Sequence, residues 1–207
     1  MNGDDVMKLY LKPGSCAMAV HIALEEAELT YEIETVDLAT KQTASGEDYL
    51  TINPNGYVPA LVLDDGEVMT EAVAILLYIA NLAPEAELAP SPGSKAYFEL
   101  LSHLVFITTE LHKNFSPFFK PNSGETWRAM AQKNLNARLS LMNEHLATRD
   151  YVAGERFSVA DAYLFTVLSW SRVVHVSLSP WPHLERFVAR IAERESVQRA
   201  MQAEGLK

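Results

Sequence analysis

Asn53-Pro54-Asn55-Gly56-Tyr57-Val58-Pro59-Ala60-Leu61 decides the fold of this 207-residue chain. Prolines and a glycine make its first half a turn, and the apolar residues from Ala60 onward read as a strand, which puts Pro59 at the strand's first residue. Proline is allowed there because it need not donate to the sheet. With a cis Val58–Pro59 bond, the backbone N–H and C=O of Val58 would face a ligand; with a trans bond the stretch is a rigid turn.

Working outward, Met7–Leu11 reads as a strand, Cys16–Ala27 as a helix and Tyr31–Val36 as a strand, a βαβ unit whose crossover is normally right-handed. A polar stretch runs through Ser45, followed by a short helix near Glu47–Thr51. On the other side, the runs Ala60–Leu63 and Glu67–Met69 flank Asp64-Asp65-Gly66, a hairpin signal. Glu71–Leu82 then has helical spacing. The expected order over residues 7–83 is β-α-β-α-β-β-α. Residues 84–94, with Pro84, Pro90, Pro92 and Gly93, cannot sustain a helix and read as a linker. Residues 95–207 carry only helical patterns, at Lys95–Phe115, Glu125–Leu146, Ser158–Val174, Leu184–Glu193 and near Val197–Glu204, so an all-α domain is expected to follow an α/β one.

Composition narrows the function. Seventeen Lys and Arg against 27 Asp and Glu leave a formal charge of −10, which argues against a nucleic-acid backbone as partner. Charges interrupt every apolar stretch, so neither a membrane span nor an export signal is expected. The polar residues 1–6 are left out of the fold argument as an extension. Cys16 is the single cysteine, which rules out an intramolecular disulfide and suits a reducing cytoplasm. Motifs for dinucleotides, nucleotide phosphates, zinc proteases and dithiol redox centres are missing, and the six histidines show no metal-ligand spacing.

Four positions carry possible chemistry. Cys16 follows Pro13-Gly14-Ser15 where a strand hands over to a helix, and unpaired N–H groups with the helix dipole stabilise a thiolate there. That location favours a reactive sulfur over a small buried hydrophobe. Thr70 reads as the N-cap of the helix that Glu71 opens. Glu71 is suited either to hold an ammonium group or to compensate the dipole. His112 shares a helix face with Leu101, Val105, Thr108 and Phe115, and without further support it reads as a structural histidine. Ser158-Val159-Ala160-Asp161 has the form of a capping box and is read as structural.

Lys12–Cys16, Asn53–Leu61, Thr70-Glu71, Thr109-Glu110-Leu111-His112-Lys113 and Arg156–Phe165 together resemble the cytosolic glutathione S-transferases, most nearly the bacterial beta class, over residues 7–207. The resemblance implies a thioredoxin-like domain followed by an all-helical one, and an enzyme that conjugates glutathione, its co-substrate, to small hydrophobic electrophiles without a metal. It implies that Cys16 and His112 are catalytic, with Cys16 able to form a mixed disulfide with glutathione and so to support thiol transferase or peroxidase activity. Lys41 would bind the glycyl carboxylate, Val58 would pair through its backbone with the cysteinyl part beside a cis Pro59, and Glu71 with the N–H of Ala72 would take the γ-glutamyl end. Phe115 and Trp170 would wall the electrophile site. A homodimer in the cytoplasm is implied, with no nucleic acid or membrane as partner. The sequence departs from the family at Ala72 (serine or glycine is usual), Val105 (asparagine), Leu11 (an aromatic) and Ala17 (serine). Each missing hydrogen bond costs about 0.5–1.5 kcal/mol. The departures at Ala72 and Val105 also fit a non-catalytic ligand-binding protein of the same fold.

Overall fold

The structure is a computed structural model that describes residues 6–206. Of the extension at residues 1–6, only Val6 falls among them. The chain divides into two compact units, residues 1–88 with 195–207, and residues 89–194.

The first unit holds a five-stranded sheet in the order β3-β2-β1-β4-β5, with β1 Met7–Leu11, β2 Tyr31–Asp37, β3 Gln42–Thr43, β4 Ala60–Val62 and β5 Val68–Thr70. β1 is parallel to β2, as the βαβ reading requires, and β4 is antiparallel to β5, as the hairpin reading requires; β1 is also antiparallel to β4. Its Leu9 and Leu11 are fully buried, as expected of a central strand. The Asp-Gly turn forms as read: Gly66 takes φ +83° and donates to Leu63 O at 3.0 Å, and Glu67 N–H donates to Asp65 Oδ1 at 2.9 Å.

Between β2 and β4 the sequence reading needs correction. The polar stretch through Ser45 contains the two-residue strand β3, and the helix expected near Glu47–Thr51 is a single 3₁₀ turn, Tyr49–Thr51. Asp48 Oδ1 accepts from Leu50 N–H at 3.0 Å and caps that turn, while Tyr49 is pulled wholly into the core.

α1 (Ala17–Glu26) is buried from Ala17 to Leu24 and packs against α2 (Ala72–Leu82). It also packs against the C-terminal helix Glu195–Ala203, and residues 195–207 therefore cluster with the first unit. This corrects the expectation that residues 95–207 form one all-helical domain. Helical periodicity tells that a segment has an apolar face, and nothing in it says which neighbour covers that face.

The second unit is built from α3 (Lys95–Phe106), a π-helical turn (Ile107–His112), the one-turn α4 (Lys113–Phe115), a 3₁₀ turn (Ser116–Phe119), α5 (Glu125–His145), α6 (Val159–Val173) and α7 (Pro182–Ala192). The helix expected over Lys95–Phe115 is thus interrupted at residues 107–112, where Lys113 N–H reaches back five residues to Thr108 O. α6 is buried along nearly its whole length. Asp161 at its start accepts from Val152 N–H at 2.8 Å, Ser158 N–H at 2.9 Å and Ser158 Oγ–H at 2.8 Å, which fixes the entry of the helix. The C-terminal helix is numbered α8.

Candidate active site

Strand register assembles the site in the first unit. Ala60 of β4 lies opposite Tyr10 of β1 on one side and Thr70 of β5 on the other. One row across the sheet therefore brings together the end of β1, which leads to Cys16, the start of β4, which follows Val58-Pro59, and the end of β5, which leads to Glu71. Neighbouring strands lie about 4.8 Å apart, so this row spans roughly 10 Å.

Cys16 is half-buried at the N-cap of α1, and its Sγ–H donates to Val58 O at 3.3 Å. The Val58–Pro59 peptide is cis. The first-turn N–H groups of α1 are not left open as the sequence reading expected. Ala17 N–H meets Ser15 Oγ at 3.3 Å, and Met18 N–H meets Ser15 O at 3.1 Å. Ser15, the residue before the cysteine, caps the turn from outside, so what the helix end offers the sulfur is its dipole rather than those two donors.

The loop before the cis peptide is fastened through backbone acceptors. Tyr57 O accepts from both Tyr49 Oη–H at 2.7 Å and Asn53 Nδ2 at 2.8 Å. Tyr49 is so deeply buried that its phenol is pushed up to about 12, which keeps it a neutral donor. Lys41 Nζ donates to Gly56 O at 2.7 Å and lies 5.8 Å from the Tyr57 ring centroid. Its end lies so close over Gly56 that a Cβ at position 56 would meet Lys41 Cε and Nζ at 3.1 Å. Gly56 also has φ +63°, so both backbone and space call for glycine.

Glu71, rather than the expected Thr70, occupies the N-cap position of α2. Its φ is +67° and its side chain makes no capping bond, leaving the carboxylate exposed. For a residue with a Cβ this backbone costs on the order of 1–3 kcal/mol. Ala72 behind it is buried.

In the second unit, His112, Phe115 and Trp170 come together. The His112 ring stands edge-on to Trp170 at 4.7 Å, and Phe115 and Phe119 meet the same indole at 5.9 and 5.6 Å. Phe115 has no accessible surface and Trp170 is 5% exposed, so the expectation that both wall a ligand site is corrected in part: Phe115 only backs the indole. Phe119, which sequence reasoning missed, is the exposed member of the cluster. Sequence reasoning also missed Tyr163, whose hydroxyl lies 2.9 Å from His112 Nδ1 and 3.4 Å from Thr108 Oγ1. Burial, with Lys113 beside it, lowers His112 to about 4, so the imidazole is neutral across physiological pH. Among the described residues, only Arg190 has buried side-chain nitrogens without partners, so His112 Nε2 is not sealed in.

Among the described residues, no cluster of three or more His, Cys, Asp and Glu is placed to hold a metal, and no helix is long and apolar enough to cross a membrane.

Comparison with known proteins identifies the family. Residues 5–81 match the family model of the glutathione S-transferase N-terminal domain, and residues 106–195 match that of the C-terminal domain. The chain is 43% identical to glutathione S-transferase GstA of Escherichia coli O157:H7 over 201 residues, 97% of this chain and 100% of that one. The crystal structure of a glutathione transferase from Methylococcus capsulatus superposes with a TM-score of 0.95 at 49% identity, covering 97% of this chain and 99% of the other. A sphingomonad glutathione S-transferase solved in complex with glutathione gives 0.93 at 45% identity, covering 97% and 100%. A cysteine facing the Val58 carbonyl, at the end of a sheet that leads into a helical unit, thus sits in a chain that belongs to the glutathione S-transferase family.

Proposed function

We propose that the chain is a glutathione transferase: it binds glutathione along the row from Lys41 through Val58 to Glu71 and joins its sulfur to a small hydrophobic electrophile, giving a thioether. The observation that carries this reading is the Cys16 sulfur at 3.3 Å from Val58 O, the backbone group expected to receive the cysteinyl part of the tripeptide. The row from the Cys16 turn through Val58 to Glu71 is about 10 Å wide, within the reach of an extended tripeptide. The cation at Lys41, beside Gly56, and the exposed carboxylate of Glu71 suit a ligand with a carboxylate at one end and an ammonium at the other. The backbone N–H of Ala72 serves the γ-glutamyl end without the usual serine hydroxyl.

Cys16 stabilises the bound sulfur and also supports disulfide exchange, attacking a glutathione disulfide to give a protein mixed disulfide and a released thiolate. His112, neutral and held by Tyr163, offers a hydrogen bond near the reacting groups. The electrophile binds against Trp170 and Phe119. No metal is used. The protein acts in detoxification in the cytoplasm, as an isologous homodimer.

The test is calorimetric titration of the reduced protein with glutathione, repeated on Cys16→Ala and Glu71→Ala. Saturable binding that collapses in Glu71→Ala supports the reading; no heat and no fluorescence change at millimolar glutathione would replace it with the non-catalytic ligand-binding protein. Cys16→Ala separates the two chemistries, abolishing disulfide reduction while substantial conjugation remains. Light scattering at micromolar protein reads the dimer.

A further inference from the structure

Two histidines that lie far apart in the sequence meet inside the second unit. His103 on α3 and His145 at the end of α5 have ring centroids 4.8 Å apart, with their planes inclined at 52°. Rings so tilted do not form a parallel stack. Both side chains are half-buried. Among the described residues, His103 has no hydrogen-bond partner for its ring, and the only side-chain nitrogens sealed without a partner belong to Arg190, so the His103 nitrogens are open to a ligand.

The state of the His145 ring follows from its one hydrogen bond. Its Nε2 lies 2.8 Å from Val152 O, and a carbonyl only accepts, so Nε2 carries the proton and Nδ1 of the neutral ring keeps a lone pair. An N–H held by a backbone carbonyl is the usual second contact of a metal-bound imidazole, because it fixes the tautomer and makes the other nitrogen a better donor. Val152 is itself fastened, its N–H donating to Asp161 Oδ1 at 2.8 Å, so the ring is held at a rigid point. The charges around the pair favour neutral rings. Burial lowers the His103 imidazole, and His145 and Arg149 lower it further, against the opposing charge of Glu99 one turn earlier on α3. His103 is therefore neutral at pH 7, the form that ligates a metal. Arg149 is turned back along its own chain, donating from Nη1 to His145 O at 3.2 Å, and Glu99 lies 3.4 Å from Lys95 Nζ.

We propose that His103 and His145 form a binding site for a divalent transition-metal ion of the copper–nickel kind, each giving one imidazole nitrogen, with water completing the shell. An imidazole nitrogen lies about 2 Å from such an ion and the ring centre about 1 Å beyond it, so two rings at right angles around one ion have centroids roughly 4.5 Å apart. The spacing of 4.8 Å matches. Among the described residues, no third His, Cys, Asp or Glu is placed to join the pair, which sets it apart from a structural zinc site with four protein ligands. Two nitrogens with oxygen at the other positions suit tetragonal Cu2+ or Ni2+, and Cu2+ binds the tighter of the two. The ion would tie α3 to the end of α5 and takes no part in the transfer chemistry. Neither histidine belongs to the glutathione reading, so the test needs no glutathione.

Cu2+ is titrated into the full chain carrying Cys16→Ala, which removes the thiol that would reduce the metal, and into the same chain with His103→Ala or His145→Gln added. Affinity is read by calorimetry and the ligand set by electron paramagnetic resonance. One equivalent of Cu2+ with splitting from two nitrogens is expected in the parent. Each histidine substitution should weaken binding at least about tenfold and remove one nitrogen from the spectrum. Glutamine at 145 can still donate to Val152 O, and the His103 ring bonds to nothing in the protein, so if His145→Gln does not fold, His103→Ala decides alone. Cu2+ held as tightly by the His103→Ala chain as by its parent is adventitious binding at other groups and overturns the proposal, as does a parent spectrum without the nitrogen pair.

Discussion

The two units hold their chemistry by different means. In the first, the loop around the cis peptide is held through its backbone carbonyls: Val58 O for Cys16, Gly56 O for Lys41, and Tyr57 O for Tyr49 and Asn53 together. In the second, the acceptors and packing partners are side chains: Tyr163 bonds to His112, Trp170 stands against its ring, and the Asp161 carboxylate gathers two backbone N–H groups and the Ser158 hydroxyl at the start of α6. A backbone acceptor survives substitution of its residue. A side-chain partner does not, so mutations are expected to cost more in the helical unit.

Asp161→Ala gives the largest break. It leaves Val152 N–H, Ser158 N–H and Ser158 Oγ–H buried without their acceptor, a loss of about 3 kcal/mol or more in urea unfolding. No single side-chain truncation in the Asn53–Tyr57 loop should approach it.

Titration gives the next. His112 is lowered to about 4 from 6.5, so as pH falls through that interval the unfolded chain takes up the proton first and stability is lost, by about 3 kcal/mol in all. Asp161 runs the other way: burial raises it to about 7 from 3.8, so its contribution is lost as pH rises through that interval. The two slopes oppose each other. His112→Phe removes one of them, and its stability should fall from pH 4 to 7 more steeply than that of the native protein; parallel curves would refute the assignment.

Glu71→Gly separates strain from function in the first unit. Glycine takes φ +67° without penalty, so stability should rise by about 1 kcal/mol while glutathione affinity drops. Equal affinity would remove Glu71 from the site.

The smallest effects sharpen the comparison most, because they delete the same atom in both units. Tyr49→Phe leaves Tyr57 O with its Asn53 partner and should cost less than about 1 kcal/mol. Tyr163→Phe removes the hydrogen-bond partner of His112 Nδ1 and should lower kcat more than it raises KM for glutathione. If the two variants behave alike in both assays, the distinction drawn here between backbone and side-chain holding fails.

The same distinction explains how much was legible. Glycine, proline and Asp-Gly act on the backbone of their own neighbours, so Gly56, Pro59, the hairpin at Asp64–Gly66 and the break after Leu82 could be read from the sequence. Gln42–Thr43 forms a strand only because β2 lies beside it, and neither residue signals one. The buried positions Leu100, Leu104, Ile107, Leu111 and Phe115 keep steps of three and four straight through the π turn, so periodicity predicts an unbroken helix. The face on which that spacing put His112 includes Val105, which is 47% exposed. The resemblance singled out Cys16 and His112, but Tyr163 and Phe119 are ordinary residues whose partners lie 51 positions away. No local pattern connects them.

The π turn also decides what a change of length would do to His112. A π turn uses more residues than an α turn, so a chain one residue shorter between Ile107 and Leu111, for example lacking the exposed Thr109, could close as continuous α-helix. Each residue of the wider π turn advances less than the roughly 100° of an α-helical residue, so the shortened turn would cover nearly the same angle and leave everything after it on its present face. The histidine would stay against Tyr163 and Trp170, one position earlier in the chain. The π turn therefore acts as slack that absorbs one residue of length without moving the site, and a single gap here in a related chain is compatible with the same arrangement.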